Sequence, residues 1–313
     1  MISRRSIRVK VMQTIFAHEI SHDEGMTNSI KMLEETVEKT IEINLVFLMY
    51  FKEIARYVHT FATQQKSKYL LTEDEKNVNE NIGKSPIISY INDSFVFNKL
   101  AKKYDIQKHL ELSIIKDYFF LMTDSEVYKK YTTIKNPSID DDKEVFGFIV
   151  KKILNKDENL LGHLETYFIN VHDDTDLVCF ALKRAIKNFS LDNKINFELG
   201  ISDWEEEREY AFNLLKITLT QSKQYDEMIE PKLKGWELDR ISKVDIIIIK
   251  LAISEMLHFP NIPLKVTINE YIDLCKLYST PKSKEFVNGI LDRIMKELIE
   301  KNLILKTGRG LQD

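Results

Sequence analysis

From Arg240 to Leu298 the chain spells three apolar helices divided by proline-marked turns, and no other stretch constrains the fold as strongly. The run Arg240-Ile-Ser-Lys-Val-Asp-Ile-Ile-Ile-Ile-Lys-Leu-Ala252 offers Ser242 as N-cap with Asp245 three residues on, a capping-box-like start. Its apolar density predicts a helix buried on all sides. Pro260 and Pro263 end that helix, because proline lacks the amide donor and restricts the residue before it. Thr267 and Glu270 stand at capping-box spacing ahead of Tyr271–Tyr278, and Thr280-Pro281 fits a cap followed by proline at the first helical position. Phe286, Ile290, Ile294 and Leu298 then recur every four residues, the buried stripe of a closing helix. Asn288-Gly289 inside it is costly by propensity and is read as a place of close helix packing.

The remaining sequence points the same way. Only 9 Gly and 6 Pro interrupt 313 residues, so turns are scarce and an all-α chain is expected, with 43% hydrophobic residues ample for a core. Residues 3–20 read as a helix with Ile7, Val11 and Ile15 on one stripe beside Phe16, and with Arg4, Arg5 and Arg8 sharing a face, since positions three and four apart are neighbours. A long helix or helix pair is expected from about 27 to 61, an exposed polar connection over 64–84, and helices near 92–104, 108–131, 143–155, 158–171 and 175–189. Residues 136–142 read as a break into an acidic helix start, which the positive end of the helix dipole favours. A break at 190–203 marks a domain boundary before a new helical stretch from Trp204 to Tyr225. The spacing of apolar residues over 144–168 faintly echoes that over 209–233.

Charge and chemistry exclude several function classes. A net charge of -4 gives no global pull toward nucleic acid, so RNA contact would need a local basic patch. Cys179 and Cys275 lie far apart without clustered histidines, so neither a disulfide framework nor a zinc site is indicated, and both are expected as reduced core residues. No catalytic, cofactor or metal residues are assigned. No apolar run approaches the roughly 18–20 residues of a membrane span, and the basic N-terminus leads into an amphipathic segment rather than a secretory signal, so a cytoplasmic location is expected.

The run from Asp239 to Leu257, then Ile262 to Lys276, then Phe286-Val-Asn-Gly-Ile-Leu-Asp292, resembles the three closing helices of the NusB transcription-antitermination family in order and spacing. Residues 207–236 are similar to the preceding family helices, and Arg4 to Phe16 is similar to its arginine-rich first helix, down to Gln13 and the aromatic at Phe16. The resemblance covers about 3–22 and 203–300. It therefore suggests an N-terminal basic helix over 1–24, an inserted helical region over 25–200, and a NusB-like core over 201–313.

What the resemblance implies is a non-enzymatic factor that binds boxA-type single-stranded sequence in nascent ribosomal RNA. Its implied partners are the ribosomal protein that doubles as NusE and the RNA polymerase elongation complex. A first RNA surface falls on Arg4, Arg5 and Arg8, a second on Tyr278, Lys282, Lys284 and Phe286, and the protein-partner surface near Phe16 and Asp245. The residue types suit the task, since cationic side chains track phosphates and aromatic faces stack bases for about 1–3 kcal/mol each. Phe286 also lies on the apolar stripe, so core packing and base stacking both fit it, and Asp245 also fits a cap alone. Two positions depart from the family pattern: Glu285 stands where the family is usually basic, and Lys282 where it is frequently acidic. Two other readings stay open. One is an assembly scaffold that binds protein partners through residues 25–200, with self-association into a homodimer also open. The other is a relative of the NusB-like domains that precede RNA methyltransferases, for which no Gly-rich cofactor turn or catalytic cysteine context is found.

Overall fold

The computed structural model describes residues 4–21, 25–66, 80–154, 157–190, 201–233 and 241–311, and every described element is helical. Of the connection expected over 64–84, residues 67–79 lie outside the described residues while 64–66 and 81–84 are helical; of the break expected at 190–203, residues 191–200 lie outside them while 201–203 are helical; Asp239 and Arg240 at the head of the closing run also lie outside. The chain divides into two compact units, one of residues 38–203 and one of residues 2–37 with 204–313.

Each unit is organised by a helix that carries a continuous run of buried residues. In the inner unit this is α2 (Met26–Lys66), a single 41-residue helix in which residues 41–50 are all buried. Around it come the short helices α3 (Pro86–Asp93), α4 (Phe95–Lys103), α5 (Leu112–Asp124), α6 (Glu126–Thr132), α7 (Ile139–Phe148) continued by a π-helical turn (Ile149–Leu154), α8 (Glu158–Glu165) and α9 (Val171–Asn188). The stretch 108–131, expected as one helix, is two. Ser125 accepts a hydrogen bond from the Tyr128 amide and starts α6 without any glycine or proline. Ser94 does the same for α4 through the Phe97 amide. Ser138 and Asp141 form a complete capping box at α7, where the acidic helix start was expected. Asp142 in the next position is buried and accepts from Ser85 Oγ and Tyr131 Oη, both at 2.7 Å.

The terminal unit places α1 (Arg4–Ser21), α10 (Ile201–Thr220), α11 (Ser222–Ile229), α12 (Lys243–His258), α13 (Leu264–Tyr278) and α14 (Ser283–Glu300) together. Helix α12 is buried over twelve consecutive residues from Asp245 to Met256, and α1, α11, α13 and α14 pack against it. Ile7, Val11 and Ile15 supply the buried stripe of α1, as their spacing predicts, and Ile290, Ile294 and Leu298 that of α14. Lys250 is buried in α12 and reaches Ser222 (2.8 Å) and Asp226 (2.9 Å) on α11. Helix α14 closes with Asn302 in the left-handed region (φ 52°), Leu303 N–H on Leu298 C=O and Asn302 N–H on Ile299 C=O, the Schellman pattern.

Three local expectations are corrected. Thr267 does not cap α13: Pro263 holds the N-cap position and Thr267 lies inside the helix, where its hydroxyl donates to Glu255. Helix α14 starts at Ser283, past Thr280-Pro281, which form a turn closed by Ser283 N–H on Thr280 C=O. Gly289 is not a point of close backbone approach, since a Cβ there would meet only the Arg293 guanidinium at 3.7 Å. Ser242 does hold the N-cap position of α12, but its side chain makes no capping bond.

Candidate nucleic-acid interface

The centre of the terminal unit is a carboxylate inside the apolar run of α12. Glu255 is fully buried and receives a two-pronged contact from Arg8 of α1, Nε to Oε2 at 2.8 Å and Nη2 to Oε1 at 2.9 Å. Tyr210 Oη of α10 donates to it at 2.6 Å, Thr267 Oγ1 of α13 at 2.8 Å and Tyr271 Oη at 3.3 Å. The two phenol rings also face the guanidinium, Tyr210 at 5.8 Å and Tyr271 at 5.7 Å to the ring centroids. Burial works against the charge on Glu255, yet the hydrogen bonds and charge of Arg8, helped by Tyr210 and Thr267, outweigh it and hold the carboxyl below its ordinary range. Burial and the adjacent carboxylate together push both phenols up, so Tyr210 and Tyr271 stay protonated donors. Four helices are thus tied to one group, and α1 has one way to sit on α12.

Arg8 was expected to touch RNA, and the structure places it elsewhere: 3% exposed, its guanidinium committed to Glu255 with Glu270 3.6 Å away. It is an anchor whose charge faces inward. Arg4 and Arg5, one turn earlier, stay about half exposed. Arg4 meets Glu207 at 2.8 Å and lies 5.1 Å over the Tyr210 ring. Arg5 meets Glu270 at 3.0 Å and Asp273 at 2.5 Å on α13. Asp273 is shared with Lys276 (2.6 Å), and these two cations hold it below the usual carboxylate range. No acidic residue occupies the first turn of α1, so its positive dipole end adds to the two arginines. Beside them is a pocket of about 240 Å³ lined among others by Arg4, Tyr210, Asn213, Phe259 and Asn261.

The second expected surface lies farther along α13. Tyr278 ends that helix five residues past Asp273, about 7.5 Å along the axis at 1.5 Å per residue. Lys282 and Lys284 are exposed at the start of α14, and Phe286 is half-buried rather than a core residue. Contact of Arg5 with α13 therefore brings the chain's first helix alongside its closing helices. Of the two residues assigned to a protein partner, Phe16 is half-buried, while Asp245 is 4% exposed in the first turn of α12 with Cys275 Sγ at 3.9 Å. Packing of α13 over that turn takes Asp245 out of reach of a partner. Glu207, Glu255, Glu270 and Asp273 decide what each arginine does, and of these only Glu270 is marked by sequence spacing, as a capping-box residue rather than as an ion-pair partner. Among the described residues no group of His, Cys, Asp and Glu is arranged to hold a metal, and no helix is long and apolar enough to cross a membrane.

Fold and site together define an all-α bundle built round one buried helix, with a cation-bearing first helix locked onto it by an internal ion pair. The profile of the NusB family matches residues 178–296. The chain is 43% identical over 112 residues to the transcription antitermination protein NusB of Acetivibrio thermocellus, an alignment covering 36% of this chain and 77% of that protein. It is 40% identical over 104 residues to that of Salinibacter ruber (33% of this chain, 65% of the relative) and 39% identical over 106 residues to that of Chloroherpeton thalassium (34% and 50%). The chain belongs to the NusB family. It spans only half to about two thirds of the Chloroherpeton and Salinibacter relatives, and no solved structure matches it.

Proposed function

We propose that this chain is a cytoplasmic, non-enzymatic transcription antitermination factor that binds single-stranded boxA-type sequence in nascent ribosomal RNA. It acts with the ribosomal protein that serves as NusE, on the RNA polymerase elongation complex. One observation carries the reading: two half-exposed arginines, Arg4 and Arg5, are held at the positive end of α1 by the buried Arg8–Glu255 pair, on the side where α13 runs toward Tyr278. The carboxylates of Glu207, Glu270 and Asp273 now occupy the arginines. Phosphate oxygens bind a guanidinium fork with the same geometry and can replace them. Tyr278 supplies a face for base stacking, Lys282 and Lys284 supply phosphate contacts, and half-buried Phe16 offers an apolar anchor for the ribosomal partner.

The test is fluorescence anisotropy of a labelled boxA-type RNA titrated with wild-type protein and with Arg4→Ala/Arg5→Ala across a salt series. The double variant is expected to bind at least tenfold more weakly. Its log-log salt slope should be shallower by about 1.4, at about 0.7 per phosphate on a single strand. An unchanged affinity and slope would remove α1 from the interface.

A further inference from the structure

The inner unit carries a basic pocket that the NusB-like surface does not use. Lys52, Arg56 and His59 fall at positions i, i+4 and i+7 on one face of α2, and with Ala55 they form one wall. Gly83 and Lys84 from the 3-10 turn at Asn81–Lys84, with Ile88 and Asn92 one turn apart on α3, form the other. The space between the two walls, open on one side, is about 260 Å³. Its cations are unequally engaged. His59 Nδ1 meets Glu80 at 2.7 Å and Arg56 meets Glu53 at 3.3 Å, whereas Lys52 and Lys84 form no ion pair with a described acidic residue. Lys52 instead lies 6.0 Å over the Phe97 ring. Between the cations lie Ala55 and Ile88, both buried, and the Glu80 carboxylate, which also lines the pocket and is held by His59.

We infer that this pocket takes one nucleotide of a single-stranded RNA, its phosphate between Lys52, Arg56 and Lys84 and its base on the Ala55–Ile88 floor, so that the inner unit adds an RNA contact of its own. The inference rests on the RNA-binding reading above. Cations without internal partners favour an anion, and a concave apolar floor between them favours one that carries a flat ring. Asn92 at the rim supplies an amide able to both donate and accept toward a base edge.

Two measurements on the full chain test it. In amide-detected magnetic resonance, adenosine 5′-monophosphate at millimolar concentration is expected to shift Gly83 and the Asn92 side-chain amide while adenosine does not, and Lys52→Gln/Lys84→Gln should abolish the shift. With a labelled 40-nucleotide single-stranded RNA, the same double variant should lower affinity about fivefold at 0.1 M salt and flatten the salt slope by about 0.7, the contribution of one phosphate. No response of Gly83 to the nucleotide, an equal response to adenosine, or RNA affinity unchanged in the variant would each overturn the inference. If the double variant binds RNA normally while Arg4→Ala/Arg5→Ala does not, the RNA-binding reading stands and this pocket falls out of it. If neither variant affects binding, both fall.

Discussion

Replacing Glu255 by Gln keeps the shape of the side chain and removes its charge, which isolates what the buried pair does. In the wild type Arg8 is 3% exposed and Glu255 fully buried, so neither is relieved by water. The variant leaves a guanidinium in the interior, with Glu270 at 3.6 Å as its remaining acid. Breaking one side of a buried pair costs about 3–5 kcal/mol, because the surviving charge is left without compensation. Replacing Arg8 by Met should cost a similar amount, leaving the carboxylate to Tyr210, Thr267 and Tyr271 alone. The double variant Arg8→Met/Glu255→Gln should then lose less than the sum of those two single variants, by about 2 kcal/mol or more, as expected of groups in direct contact. Urea unfolding followed by tryptophan fluorescence reads this directly, since Trp204 lies in the terminal unit with its ring 5.9 Å from that of Phe212. The pH dependence has a definite sign. A carboxyl whose pKa is depressed on folding stabilises the protein above its ordinary value of about 4.3, and that contribution is lost as pH falls through the folded value. The penalty of Glu255→Gln should therefore shrink below about pH 4. A loss under about 1 kcal/mol at pH 7, or strict additivity in the double variant, would refute the anchoring role of the pair.

Glu270→Gln/Asp273→Asn releases Arg5 from its two surface partners, and exposed pairs of this kind contribute about 0.2–1 kcal/mol each. Affinity for boxA-type RNA in anisotropy titrations should accordingly rise severalfold at low salt. Gly310→Ala should detach the segment over 307–311, because a Cβ there would run into the Pro260 carbonyl oxygen; amide exchange at Thr307, now hydrogen-bonded to that same oxygen, should accelerate in the variant. His109 is buried with Tyr167 and Phe168 at ring distances of 4.6 and 4.9 Å, and burial, with Lys108 and Lys39 adding repulsion, lowers its pKa to about 4. The folded state thus disfavours the protonated ring, so stability drops as pH falls from about 6.5 toward 4, by an amount on the order of 3 kcal/mol. His109→Gln should flatten that part of the stability profile in urea titrations followed by circular dichroism.

Much of the fold was legible because helix signals are local. The stripe of Ile7, Val11 and Ile15, the isoleucine-rich run of α12, and the Ile290–Ile294–Leu298 repeat are local patterns that survive folding unchanged. Breaks at Ser94 and Ser125 were hidden because a serine cap is one small polar residue in a continuing pattern, with no proline or glycine to announce it. Position 37, where the chain passes from one compact unit to the other, was equally invisible: α2 runs through it without interruption. The site was half legible. Arginine spacing placed Arg4, Arg5 and Arg8 on one face, and that is where α1 carries them. What spacing could not supply is the partner of each, since Glu207, Glu255, Glu270 and Asp273 lie more than two hundred residues away in sequence. A single glutamate within twelve consecutive buried residues of α12 was the available signal, because a charge is rarely buried unless paired.

Photo-cross-linking of a 4-thiouridine-substituted boxA-type RNA, with the attached peptides mapped by mass spectrometry, tests the central claim most directly. Adducts are expected in the first turns of α1 and over residues 278–286, with those in α1 lost in Arg4→Ala/Arg5→Ala. Adducts confined to other segments, or unaltered by that variant, would contradict it.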